Sequence, residues 1–161
     1  MQKHPNVPFS TSKWVHVFNG LSILCISGTL IFAIAAYQTL PDKIPIYFNA
    51  QGEADGWGHK AMIFLMPLFA VILFIPLYFL SKKPRLFNYP IEITKENAGR
   101  IYPLAQLLMA IINFECVLIF TYLTIDIIGQ YFSAWILAIL FGAPILTVLL
   151  FIFIFIRLKA K

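Results

Sequence analysis

The chain has 161 residues, of which 60% are hydrophobic, 16% aromatic and only 12% charged, with a formal net charge of +5. Soluble domains carry charge on roughly a quarter of their residues, so this composition excludes a water-soluble globule and leaves lipid as the solvent for the apolar side chains. The basic residues flank apolar runs instead of forming a stripe, which excludes a nucleic-acid binder.

In chain order, a short polar tail with Lys3 and Lys13 leads into an uncharged apolar run, Trp14–Tyr37. At about 1.5 Å per residue this run is long enough to cross roughly 30 Å of hydrocarbon. A cleaved signal peptide is the competing reading, with Ala33-Ile34-Ala35 as its processing site, but the apolar run exceeds the 7–15 residues usual for such a segment. Cys25, Thr29 and Ala33, spaced by four, form a small-residue face that admits a close helix neighbour.

A polar loop follows, Gln38–Lys60, with chemistry that predicts order. Pro41 and Pro45 end the first helix and stiffen the entry. Ile44–Phe48 is short and β-prone, while Asn49–Gly52 and Asp55-Gly56 are turn signals. Tyr47 and Trp57 suit a membrane interface, and Lys60 caps the outer end of the next span. Asn49, Gln51, Glu53 and Asp55 alternate as in a calcium loop but lack its spacing to a terminal bidentate Glu. His59 is the loop's one histidine, so no metal site is expected.

The second span, Ala61–Leu80, is uncharged and contains Pro67 and Pro76. The basic connector Ser81–Tyr102 follows, read as a solvated, lipid-facing link that also offers a dock for a cytoplasmic regulator, with Thr94 as a helix cap. The third span, Pro103–Ile128, is the polar one. Glu115, Tyr122 and Asp126 share one helical stripe, and Gln106, Asn113 and Thr124 share another. Asn113 and Glu115 stand about 200° apart around the helix. Polar groups on both sides suit lipid badly, so this helix is expected to have protein neighbours on opposite flanks, in the bundle or in a homo-oligomer.

A carboxylate near mid-span costs on the order of 3 kcal/mol. Glu115 is therefore read either as a protonated side chain gluing helices together or as a proton- or ion-linked site, with Asn113, Tyr122 or hydroxyls of the first span as partners. A turn of about three residues, Gly129-Gln130-Tyr131, joins the fourth span, Phe132–Ile156, in a tight antiparallel hairpin. The prolines, together with Gly142 and Pro144, predict local kinks. Cys25 and Cys116 lie inside spans, so no disulfide is expected.

Ten of the twelve Lys and Arg residues fall in the two tails and the second loop; Lys43 and Lys60 fall in the first. That asymmetry predicts cytoplasmic termini and an exterior Gln38–Lys60 loop. The expected fold is an all-α four-helix membrane bundle with an ordered extracytoplasmic loop.

The loop string LPDKIPIYFNAQGEADGWGHK (Leu40–Lys60) resembles the signature of the bacterial family called domain of unknown function 1648. Its motif positions here are Pro41, Pro45, Tyr47, Asn49, Gly52, Glu53, Asp55, Gly56, Trp57 and Lys60. Thr94-Lys95-Glu96-Asn97 and the third span extend the likeness more loosely. That domain opens the SdpI-like toxin-immunity proteins. The resemblance implies a bacterial inner-membrane protein of immunity or sensor type, whose loop meets an extracellular peptide or toxin, a lipid or a protein partner. The family commonly has His where this chain has Tyr47, and no Arg-Thr-Pro-rich motif follows Asp126. No nucleophile–base constellation or phosphate-cradling Gly loop is present, so neither an enzyme nor a cofactor is expected. The alternatives are a small transport or proton-coupled subunit using Glu115 and a purely structural accessory protein.

Overall fold

The computed structural model describes residues 4–49, 51–129 and 133–159. Four helices carry the chain: α1 (Lys13–Tyr37), α2 (Leu65–Ser81), α3 (Lys95–Gly129) and α4 (Ala134–Lys159). Each, taking α2 with the short 3-10 turn before it, is long and apolar enough to cross a membrane. Between α1 and α2 stands an antiparallel hairpin of β1 (Lys43–Phe48) and β2 (Ala54–His59), followed by that 3-10 turn, Lys60–Phe64. The fold is thus the expected four-helix membrane bundle, and its loop is a small sheet. The first two residues of the turn between α3 and α4, Gln130 and Tyr131, lie outside the described residues, as does Phe132, the expected start of the fourth span.

Helix ends follow local chemistry. Ser12 caps α1 by accepting from the Trp14 N–H at 3.4 Å. At the start of α3, Thr94 N–H donates to Asn97 Oδ1 (2.9 Å) and Asn97 N–H donates to Thr94 Oγ1 (3.4 Å), the reciprocal pattern of a capping box. Pro67 sits in the first turn of α2, where its missing N–H has no helical partner to lose. Pro103 does not begin α3, as the apolar run suggested. The helix starts eight residues earlier, because the Thr94 box supplies a better start than the hydropathy boundary.

The bundle is organised around α3, which packs along both α1 and α2, with α4 more loosely attached. The face of α1 turned inward is Val15, Asn19, Ser22, Ile26, Thr29 and Ala33. Ile26, Ala70 and Val117 form a mid-bundle cluster from α1, α2 and α3. At one end, Ala33, Ile44, Ile63 and Ile127 join the hairpin and the 3-10 turn to the tips of α1 and α3.

The other end is also built, contrary to the expectation of a solvated connector over Ser81–Tyr102. Ile91, Ile93, Ile101, Tyr102, Phe151 and Phe155 form a core there, covered by Phe9 and Tyr89. Tyr102 donates its hydroxyl to Pro5 O (2.7 Å), and Tyr89 donates to Pro84 O (2.8 Å). His4 Nε2 lies 3.1 Å from Phe87 O. Burial, aided by the neighbouring Tyr102 phenol, raises the Tyr89 hydroxyl pKa well above its ordinary range.

Candidate functional site: the hairpin and the polar flanks of the central helix

The hairpin is closed at its tip by Asn49. Its Oδ1 accepts from the N–H groups of Gln51 (3.0 Å) and Glu53 (2.9 Å), while Nδ2 donates to Glu53 Oε2 (3.1 Å). Asn49 N–H donates to Glu53 O (2.9 Å), and Gly52 turns the chain at φ 83°, a left-handed value that favours glycine. The Asn49 oxygen and one Glu53 oxygen are committed to the turn itself, which argues against the calcium-loop pattern. Among the described residues no three His, Cys, Asp or Glu side chains assemble as a metal site.

At its base the hairpin is clamped by Lys60. Its ammonium lies 3.1 Å from Asp42 Oδ1, donates to Leu40 O at 3.5 Å, and stands 5.0 Å from the centroid of the Tyr37 ring. His59 accepts from Ala61 N–H through Nδ1 (3.1 Å) and so caps the 3-10 turn. Pro41 follows α1, and Pro45 and Ile44 are buried.

Asp55-Gly56 is not a turn. Both residues lie within β2, where the register runs Lys43↔His59, Ile44↔Gly58, Pro45↔Trp57, Tyr47↔Gly56 and Phe48↔Ala54. Ile46 is thus an extra residue on β1 and Asp55 one on β2, two bulges that compensate each other. The glycines of β2 serve close approach. A Cβ on Gly56 would meet Tyr47 Cδ2 at 2.7 Å, and one on Gly58 would meet Ile46 Cδ1 at 2.8 Å.

Of the ten motif residues, six have work inside the fold: Pro45, Asn49, Gly52, Glu53, Gly56 and Lys60; Pro41 is exposed beyond the end of α1. Three project outward. Tyr47 is 68% exposed, Trp57 is 62% exposed, and Asp55 is exposed with no ion pair among the described residues. A rigid hairpin displaying two large rings and a carboxylate is equipped for contact.

The second site is the polar part of α3. Asn113, 1% exposed, donates to Phe74 O of α2 (3.2 Å). On the other flank Thr147 of α4 donates to Glu115 Oε1 (2.7 Å), and Ser133 N–H donates to the Tyr122 hydroxyl (3.2 Å). Thr29 and Thr121 hydroxyls meet at 3.1 Å and tie α1 to α3. Polar groups about 200° apart thus answer two different helices of the same bundle, as the sequence pattern demands.

The named partners of Glu115 need correction. It does not pair with Asn113 or the first span, which lie on other arcs of the bundle, nor with Tyr122, which shares its flank but sits about two turns further along α3 and accepts from Ser133 N–H. Its partner is Thr147, which sequence reasoning missed, although it is the one hydroxyl in α4. Asn19 Oδ1, Gln106 Oε1, Asn113 Oδ1, Glu115 Oε2 and Asp126 Oδ1 are buried with no hydrogen-bond partner among the described residues.

Lys13, Lys82, Lys83, Arg85, Lys95, Arg100 and Arg157 all lie at the end of the bundle away from the hairpin. No curated protein and no solved structure matches the chain. Residues 23–71, which take in most of α1, the whole hairpin and the first part of α2, match the family described as a domain of unknown function (DUF1648), the family that the loop string resembles.

Proposed function

We propose that this multi-pass membrane protein presents its hairpin outside the cell and uses it to recognise a peptide or protein partner, in the manner of an immunity or sensor protein. The basic end then faces the cytoplasm of a bacterial inner membrane, where Lys and Arg flanking short connections belong. The reading is carried by one observation: Tyr47 and Trp57 stay largely exposed on a hairpin that is otherwise braced at tip, base and underside. Aromatic side chains of low conformational freedom are effective contact residues.

The test is survival of cells expressing the chain when challenged with a membrane-active secreted peptide. Tyr47→Ala with Trp57→Ala removes protection while membrane abundance stays unchanged. Equal survival of variant and parent, or no protection by the parent, overturns the reading.

The free Oε2 of Glu115 supports a second reading, proton-coupled transport. Glu115→Gln then abolishes a response to external pH that the parent shows. Identical pH responses overturn it.

A further inference from the structure

We infer that the outer edge of β2 is a docking site for an extended cationic peptide, which joins the hairpin as a third strand. The inference rests on the recognition reading above and names the chemistry of the partner.

The edge follows from the ladder. Lys60 N–H donates to Asp42 O at 2.9 Å, which makes Asp42–Lys60 a hydrogen-bonded pair. Antiparallel pairs alternate between bonded and non-bonded, so the register makes Ile44–Gly58 the next bonded pair. Lys43–His59 and Pro45–Trp57 are then the non-bonded pairs, with backbone groups directed away from the partner strand. Pro45 fits that place, since it has no N–H to contribute.

The two outer edges therefore differ. On β1 the outward positions are Lys43, which is exposed, and Pro45, which is buried and has no N–H, and β1 packs on α3 and on the 3-10 turn. On β2 the outward groups are the N–H and C=O of Trp57 and the N–H of His59, whose C=O sits at the N-cap of the 3-10 turn and accepts that turn's first bond; every β2 residue is exposed or half-exposed. A short strand edge with free donors and acceptors is the template for strand addition.

The charge selects the occupant. Glu53 and Asp55 lead into this edge and are both exposed, and no Lys or Arg lies between Glu53 and His59. Of the loop's two lysines, Lys60 is held by Asp42, and Lys43 lies on β1, opposite His59 and on the far side of β2 from the outer edge. Asp55 is the extra residue of the β2 bulge, exposed and without an ion pair among the described residues, which leaves a carboxylate for an incoming ammonium or guanidinium. The exposed Trp57 ring adds a cation–π face. Side-chain charge and backbone pairing together call for a Lys- or Arg-bearing segment in extended form.

The experiment uses the full chain, isotope-labelled in lipid nanodiscs, and a capped six-residue peptide alternating Lys with Val and Thr. Titration shifts the Trp57 and His59 backbone amide signals saturably. A fully N-methylated twin, with the same side chains but no N–H donors, binds about tenfold more weakly or worse. Asp55→Lys lowers affinity for the parent peptide about tenfold, while Asp42, already paired, is unaffected by the change. Equal binding of the N-methylated twin, or no shift at Trp57 and His59 with any peptide, overturns strand addition. Neither result touches the survival test, so loss of protection in the Tyr47/Trp57 variant together with silent amides separates a failed docking mode from a failed recognition reading.

Discussion

Gly56 lies directly beneath Tyr47: a β-carbon there would come within 2.7 Å of the ring's Cδ2 and 3.2 Å of its Cβ. The glycine in the Asp-Gly-Trp motif is therefore explained by a cross-strand ring, which covers the backbone that a side chain would otherwise protect. Tyr47 thus serves the strand pairing through the part of its side chain laid on Gly56, and remains displayed through the exposed rest of its ring.

Gly56→Ala is expected to destabilise the hairpin by about 1–3 kcal/mol, the usual range for forcing a methyl into a filled space. Truncating Tyr47 to Ala removes the 2.7 Å contact but keeps the Cβ at 3.2 Å. The double variant Gly56→Ala/Tyr47→Ala should thus recover only part of the loss. Thermal unfolding in detergent, followed through Trp57 fluorescence with Trp14 and Trp135 replaced by Phe, reads both. Full recovery would show that the Cβ contact is harmless.

Asn49 makes a distinct prediction. Asn49→Ala removes an acceptor shared by two N–H groups and a donor to Glu53, so the tip loosens. Asn49→Asp keeps the acceptor but sets a carboxylate against Glu53. Both variants should raise amide exchange of Gln51 and Glu53, and Asn49→Asp should do so less when Glu53 is also changed to Gln. Unchanged exchange in Asn49→Ala would mean the turn is held by its backbone alone.

Sidedness is testable directly. In a background with Cys25 and Cys116 replaced by Ala, Asp55→Cys should react with an impermeant maleimide in intact cells, and Lys95→Cys only after permeabilisation. The reverse pattern would invert the proposed orientation, although it would leave the bundle and the hairpin as they are.

Much of this fold is legible in the sequence because lipid leaves the backbone few choices. Trp14–Tyr37 reads as a helix since an apolar run must satisfy its own hydrogen bonds, and the structure begins it one residue earlier. Asn113 and Glu115 announce neighbours on two flanks through their angular separation alone. What each meets is not legible, because the depth at which α4 lies against α3 sets Thr147 beside Glu115, and periodicity carries no depth. Asp55-Gly56 misleads because a hairpin needs one turn, and Asn49 holds the better claim through its side chain. The cap at the basic end depends on Tyr102 reaching Pro5, a contact 97 residues apart in the chain, which no local pattern contains.

The Glu115–Thr147 hydrogen bond gives the last prediction. It is the polar tie near the middle of α4, whose buried residues otherwise sit toward the basic end at Phe151 and Phe155. Interhelical side-chain bonds in lipid average about 0.6 kcal/mol and reach about 1.7, so Thr147→Val should cost within that range. Glu115→Gln keeps an oxygen to accept from Thr147 and should cost less than Glu115→Leu, which leaves the hydroxyl without its partner. Because the two residues share one bond, the effects of Thr147→Val and Glu115→Leu should fall short of additive. Detergent-driven unfolding of the four proteins in the cycle measures this. Strict additivity would show that Glu115 is held by something other than Thr147, and would detach α4 from the polar flank of α3 on which its placement depends.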